Sequence, residues 1–103
     1  MADRDRAVPA ESGELRRLRK RIDALDRRIV GLINERAELG RAVGREKAAA
    51  GRRAVRDGER EREVLLRVTM ANTGPMPQRD LLAVYRRLIA VSRALETRDR
   101  TKK

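Results

Sequence analysis

Cysteine, histidine, phenylalanine and tryptophan are absent from this 103-residue chain, and Tyr85 is its one aromatic residue. Without Cys or His there is no disulfide framework, zinc finger, thiol nucleophile or Ser-His-Asp triad. No metal or cofactor is expected. The scarcity of aromatic and β-branched residues argues against a sheet. No apolar run approaches the roughly 18 residues of a membrane span, and the N-terminus shows no signal-peptide core. The expected compartment is the cytoplasm, with no membrane partner. A catalyst written in this alphabet works with Arg, Lys, carboxylates, hydroxyls and backbone amides, by positioning and electrostatics.

What the chain has is charge. Charged residues make up 42%, and the formal net charge is +11. Only four of the 27 basic residues are Lys. Such basicity raises the reading of a helical nucleic-acid-binding protein. Against it, acidic residues are interspersed, as at Asp23, Asp26, Glu35 and Glu38, and stacking aromatics are missing. No nucleic-acid partner is expected.

Residues 1–12 are polar, aperiodic and contain Pro9, and read as a mobile tail; residues 98–103 read likewise. Three helical segments lie between, at about 13–50, 58–72 and 77–97. They are separated by Gly51 to Gly58 and by the cluster from Asn72 to Pro77. In the first, apolar residues recur at Leu15, Leu18, Ile22, Leu25, Ile29, Leu32, Leu39 and Val43, a sustained heptad seam. A helix of that length is on the order of 55 Å long. Two shorter helices of one chain cannot cover it, so the expected architecture is an all-α, intertwined homodimer with three helices per subunit.

Several polar residues sit where the pattern asks for apolar ones. Arg36 interrupts the seam, and Ser92 continues the stripe of Tyr85, Leu88 and Leu95. Glu61 lies one turn before Leu65, Glu96 one turn after Ser92, and Lys47 one turn after Val43. Arg36 and Lys47 are three turns apart on one face. A buried guanidinium is costly unless an anion meets it. A structural ion pair, for instance Arg36 with Glu61, accounts for one such residue. Five on three helices describe a polar cavity with surplus positive charge, suited to a small anionic ligand.

The run Leu18-Arg19-Lys20-Arg21-Ile22-Asp23 opens a wider pattern. It continues through Glu35-Arg36-Ala37-Glu38-Leu39, Val43-Gly44-Arg45-Glu46-Lys47 and Val55-Arg56-Asp57-Gly58-Glu59-Arg60-Glu61, and ends at Ser92-Arg93-Ala94-Leu95-Glu96. Over residues 14–97 it resembles the all-helical chorismate mutases of the AroQ type, and the domain is set at 13–97. The resemblance implies a dimer with two shared sites and the conversion of chorismate to prephenate, in aromatic amino acid or secondary-metabolite biosynthesis. It implies that Arg36 and Arg19 of the partner subunit hold the substrate's two carboxylates, and that Lys47 donates to the ether oxygen. Glu61 would accept from the ring hydroxyl, with the backbone near Asp57 assisting. Arg60 would support the site electrostatically and Ser92 would contact a carboxylate. Glu96 stands where the family has Gln or Glu, as a second donor to the ether oxygen, and must carry a proton to donate. Geometry independently favours sharing: Arg19 and Arg36 are 17 residues apart, about 25 Å on one helix, which no small dicarboxylate spans.

Two other activities fit the same fold. One is rearrangement of 4-amino-4-deoxychorismate, whose ring amine a carboxylate at position 61 accepts as readily as a hydroxyl. The other is elimination of pyruvate from isochorismate. A coiled-coil scaffold is the remaining alternative; there, Arg36→Leu and Ser92→Ala stabilise without loss of function.

Overall fold

The computed structural model of the protein describes residues 11–53 and 55–101. Among them are three α-helices and no strand: α1 (Gly13–Ala49), α2 (Gly58–Ala71) and α3 (Gln78–Thr101). None is long and apolar enough to cross a membrane.

Each helix boundary has a local cause. Ser12 caps α1: its Oγ accepts from the Leu15 N–H at 3.0 Å, and its carbonyl accepts from the Arg16 N–H at 3.1 Å. These bonds satisfy donors that a helix N-terminus leaves open. Glu14 in the first turn and Lys47 in the last suit the helix dipole. At the other end Gly51 takes φ +78. The Arg52 N–H reaches back to the Lys47 carbonyl at 2.9 Å, and the Gly51 N–H to the Ala48 carbonyl at 3.0 Å. This pair of bonds is a Schellman closure, whose left-handed residue favours glycine. Asp57 caps α2 by accepting from the Arg60 N–H at 3.0 Å. That bond, with the charges of Arg52, Lys47 and Arg60, holds its carboxyl below the usual range against the opposing effect of desolvation. The turn to α3 is tied by Asn72 Nδ2, which donates to the Met76 carbonyl and to Gln78 Oε1, both at 3.0 Å.

The chain divides into two compact units, residues 1–34 and 35–103. In the first, every residue from Ser12 to Asn34 is exposed. The exposed set includes the seam residues Leu15, Leu18, Ile22, Leu25, Ile29 and Leu32, with Leu32 at 59%. In the second, α2 packs on α3, and Ile89 is the buried apolar residue. Gly44 of α1 and Glu96 of α3 are also buried. Arg41 of α1 grips Asp99 of α3 with two bonds, from Nε at 2.9 Å and Nη2 at 3.2 Å.

That grip corrects the expected domain end. Residues 98–101, read as tail, continue α3 as far as Thr101. Asp99 is held by Arg41, and Arg100 Nη1 donates to the Arg52 carbonyl at 2.7 Å. At the other terminus Ser12 belongs to the α1 cap rather than to a tail. The rest of the expected tails, residues 1–10 and 102–103, lies outside the described residues.

The side-chain hydrogen bond from Arg41 is the main cause holding the Asp99 carboxyl below its ordinary range; partial burial opposes it, and the charges of Arg41, Arg98 and Arg45 add to it. A carboxyl lowered on folding stabilises fully above its unfolded value, about 3.9. It loses that contribution as pH falls through the folded value. Asp99→Asn is therefore expected to melt at a lower temperature than the parent at pH 7, with the difference closing below about pH 4. Thermal melts across pH check this; a gap that persists unchanged in acid contradicts it.

Candidate active site

An open cleft of about 970 Å³ lies within the second unit, lined by residues of all three helices and the α1–α2 loop. Of the residues singled out from sequence, Arg36, Lys47, Asp57, Arg60, Glu61, Ser92 and Glu96 all line it. Arg19 belongs to the other unit, where it is exposed and pairs with Glu11.

Lys47 and Glu96 form a shielded polar pair in the cleft. Lys47 is held from two sides. Its Nζ donates to the Val55 carbonyl at 2.9 Å and stands 3.4 and 3.5 Å from the two Glu96 oxygens. The two side chains are only 11% and 8% exposed. Glu96 is therefore no solvated helix-end side chain. Its place depends on Gly44: a Cβ there would stand 2.7 Å from Glu96 Cγ, closer than real Cβ atoms come. One turn earlier, a Cβ on Gly40 would meet Ser92 Oγ at 3.4 Å. Small residues at these two positions let the polar side chains of α3 lie against α1.

Arg36 is half-buried one turn before Gly40. Its Nη1 lies 3.5 Å from Ser92 Oγ, the outer limit of a hydrogen bond. Its guanidinium stands 5.7 Å from the centre of the Tyr85 ring, within cation–π range. The ion pair entertained with Glu61 does not form. Glu61 pairs instead with Arg93, Nε to Oε2 at 3.3 Å, and more loosely with Arg56 at 3.8 Å. The other cations of the cleft are also matched: Lys47 by Glu96, Arg52 by Asp57 at 3.8 Å, and Arg60 by Glu63 at 2.8 Å. Arg36 has no carboxylate within ion-pair distance among the described residues.

Four contributors escape a reading of the sequence: Tyr85 beneath Arg36, the Val55 carbonyl, Gly44 and Arg93. The first two depend on how α1 faces α3 and the loop, which no spacing encodes. Gly44 carries a signal, a glycine inside a helical pattern, but not its partner. Arg93 follows Ser92 directly, and its contact with Glu61 joins two different helices.

Chemically, the cleft offers a cation with no counterion among the described residues, a shielded ammonium, carboxylates and a hydroxyl. It can hold an anion and stabilise charge developing on an oxygen. Residues 18–97 match the family model described as chorismate mutase type II. The chain is 38% identical over 87 residues to a bifunctional chorismate mutase/prephenate dehydratase of Aquifex aeolicus, covering 81% of this chain and 24% of the relative. A protein of the same description from Stutzerimonas stutzeri is 36% identical over 91 residues, covering 84% and 25%. The chain thus spans about a quarter of the length of these curated relatives. A solved chorismate mutase (form II) of Thermus thermophilus superimposes with a TM-score of 0.77 at 32% identity, covering 82% of this chain and 96% of that one. With a family match across most of its length and a solved relative matched almost end to end, the chain belongs to the chorismate mutase type II family.

Proposed function

We propose that this chain converts chorismate to prephenate, as a homodimer whose two active sites each draw on both subunits. The observation that carries the reading is the presence in one cleft of Arg36, which has no carboxylate partner among the described residues, and the shielded ammonium of Lys47. The reaction is an intramolecular [3,3] rearrangement in which one C–O bond breaks as one C–C bond forms. It needs no nucleophile, metal or cofactor. The protein has two tasks: to hold the reactive diaxial conformer, and to stabilise negative charge growing on the ether oxygen.

Arg36 would take one substrate carboxylate, with Ser92 beside it, and Arg19 of the partner subunit the other. The exposed seam on residues 13–34 supports the second copy, because an apolar face of that size is stable when covered. Lys47 would turn from Val55 and Glu96 to donate to the ether oxygen. Glu61 would accept from the ring hydroxyl near the backbone of Asp57, and Arg60 would add to the positive potential. Glu96, beside Lys47, would be the second donor to the ether oxygen and must carry a proton to do so.

Purified protein given chorismate should form prephenate, and Lys47→Ala should lower kcat by about a hundredfold or more. Pyruvate release from isochorismate faster than prephenate formation would overturn the assignment. Arg19→Ala and Arg36→Ala should each be nearly inactive. Mixed after verified subunit exchange, they should recover about a quarter of wild-type activity, because half the dimers carry one intact site. No recovery would exclude a shared site.

Glu96→Gln keeps a donor at this position as an amide N–H. It should retain turnover, whereas Glu96→Ala should lower kcat about tenfold or more; a Glu96→Ala variant with unchanged kcat would remove Glu96 from the donors.

A further inference from the structure

We infer that Arg93 is a specificity-determining residue, making the Glu61 end of the cleft accept a neutral ring hydroxyl and reject an ammonium. The inference rests on the proposed function and concerns the substrate group that Glu61 would meet. Glu61 alone does not choose, because a carboxylate accepts from an O–H and from an N–H alike. The cation beside it does.

Arg93 Nε lies 3.3 Å from Glu61 Oε2, with the side chains 33% and 18% exposed. That Nε is shut off from solvent and makes no well-aligned hydrogen bond, so Glu61 is the anion it is held against. Arg56 also approaches Glu61, but at 3.8 Å and from a side chain 71% exposed, where water screens it. Both Arg93 and Glu61 line the cleft.

The carboxylate is already balanced by a guanidinium. A hydroxyl donates to a remaining lone pair without adding charge. An ammonium adds a second cation to the same carboxylate, and repulsion between two cations that share one carboxylate, at an effective dielectric of about 20, amounts to about tenfold or more in binding. Glu61 with Arg93 beside it therefore matches a neutral donor.

The test is the ratio of kcat/KM for chorismate to kcat/KM for 4-amino-4-deoxychorismate at neutral pH. It is measured for the full chain, for Arg93→Leu, Arg93→Gln and Arg93→Lys, and for Arg56→Gln. The wild type should favour the hydroxyl substrate. Arg93→Leu and Arg93→Gln should each move the ratio tenfold or more toward the amine. Arg93→Lys, which keeps the charge, should hold the ratio within about threefold, and so should Arg56→Gln. Circular dichroism establishes that each variant is folded, and Arg93→Gln stands in if Arg93→Leu is not. A merely structural Arg93 lowers both substrates equally and leaves the ratio unmoved, which overturns the inference. So does a ratio that shifts in Arg56→Gln and not in the Arg93 variants. A wild type that turns over neither substrate sinks the parent reading, a result separate from any change in ratio.

Discussion

A long helix carrying an apolar seam that its own chain leaves in water is the constraint on which the rest of this structure depends. From Leu15 to Leu32 the seam residues are exposed. Helices in water draw most of their stability from packing an amphipathic face, rather than from propensity. Glu14, the Ser12 cap and the Schellman closure at Gly51 define where α1 begins and ends, but they do not cover its seam. In the proposed dimer a second copy covers it, and the same association carries Arg19 of the partner subunit to the cleft. Folding and completion of the site then become a single event.

Within residues 35–101, charge rather than apolar bulk organises the packing. Among the described residues, Ile89 and Glu96 are the buried side chains, one apolar and one acidic. Lys47 and Glu96 sit together because Gly44 leaves room, and Arg41 closes on Asp99 a turn further along α3. Among the described residues, most cations of the cleft have a carboxylate partner and Arg36 has none. A half-buried guanidinium left this way favours an anionic ligand, which suits a site that binds a dicarboxylate and works by stabilising charge.

Much of this was legible in the residues. The seam spacing fixes α1 to within a residue of its observed end, and the glycine and proline clusters mark both interruptions. Arg36, Lys47, Glu61, Ser92 and Glu96 stood out as polar groups in apolar slots, and the fold gathers all five in one cleft. What periodicity does not carry is the pairing between elements. Glu61 could have met Arg36 or Arg93; the rotation of α2 against α3 decides for Arg93. The last turn of α3 was hidden for the same reason, since it is held by an arginine 58 residues earlier in the chain. Family resemblance named Arg19 as part of the site. Its own chain places it among exposed residues beside Glu11, and the proposed function assigns its part in the site to the partner subunit.

The claim that folding, dimer and site are one event is tested most directly by sedimentation velocity and circular dichroism over a dilution series. The account predicts a particle of about twice the 11.8 kDa chain mass, losing helix content in step with dissociation. A monodisperse, fully helical monomer at working concentration would contradict it.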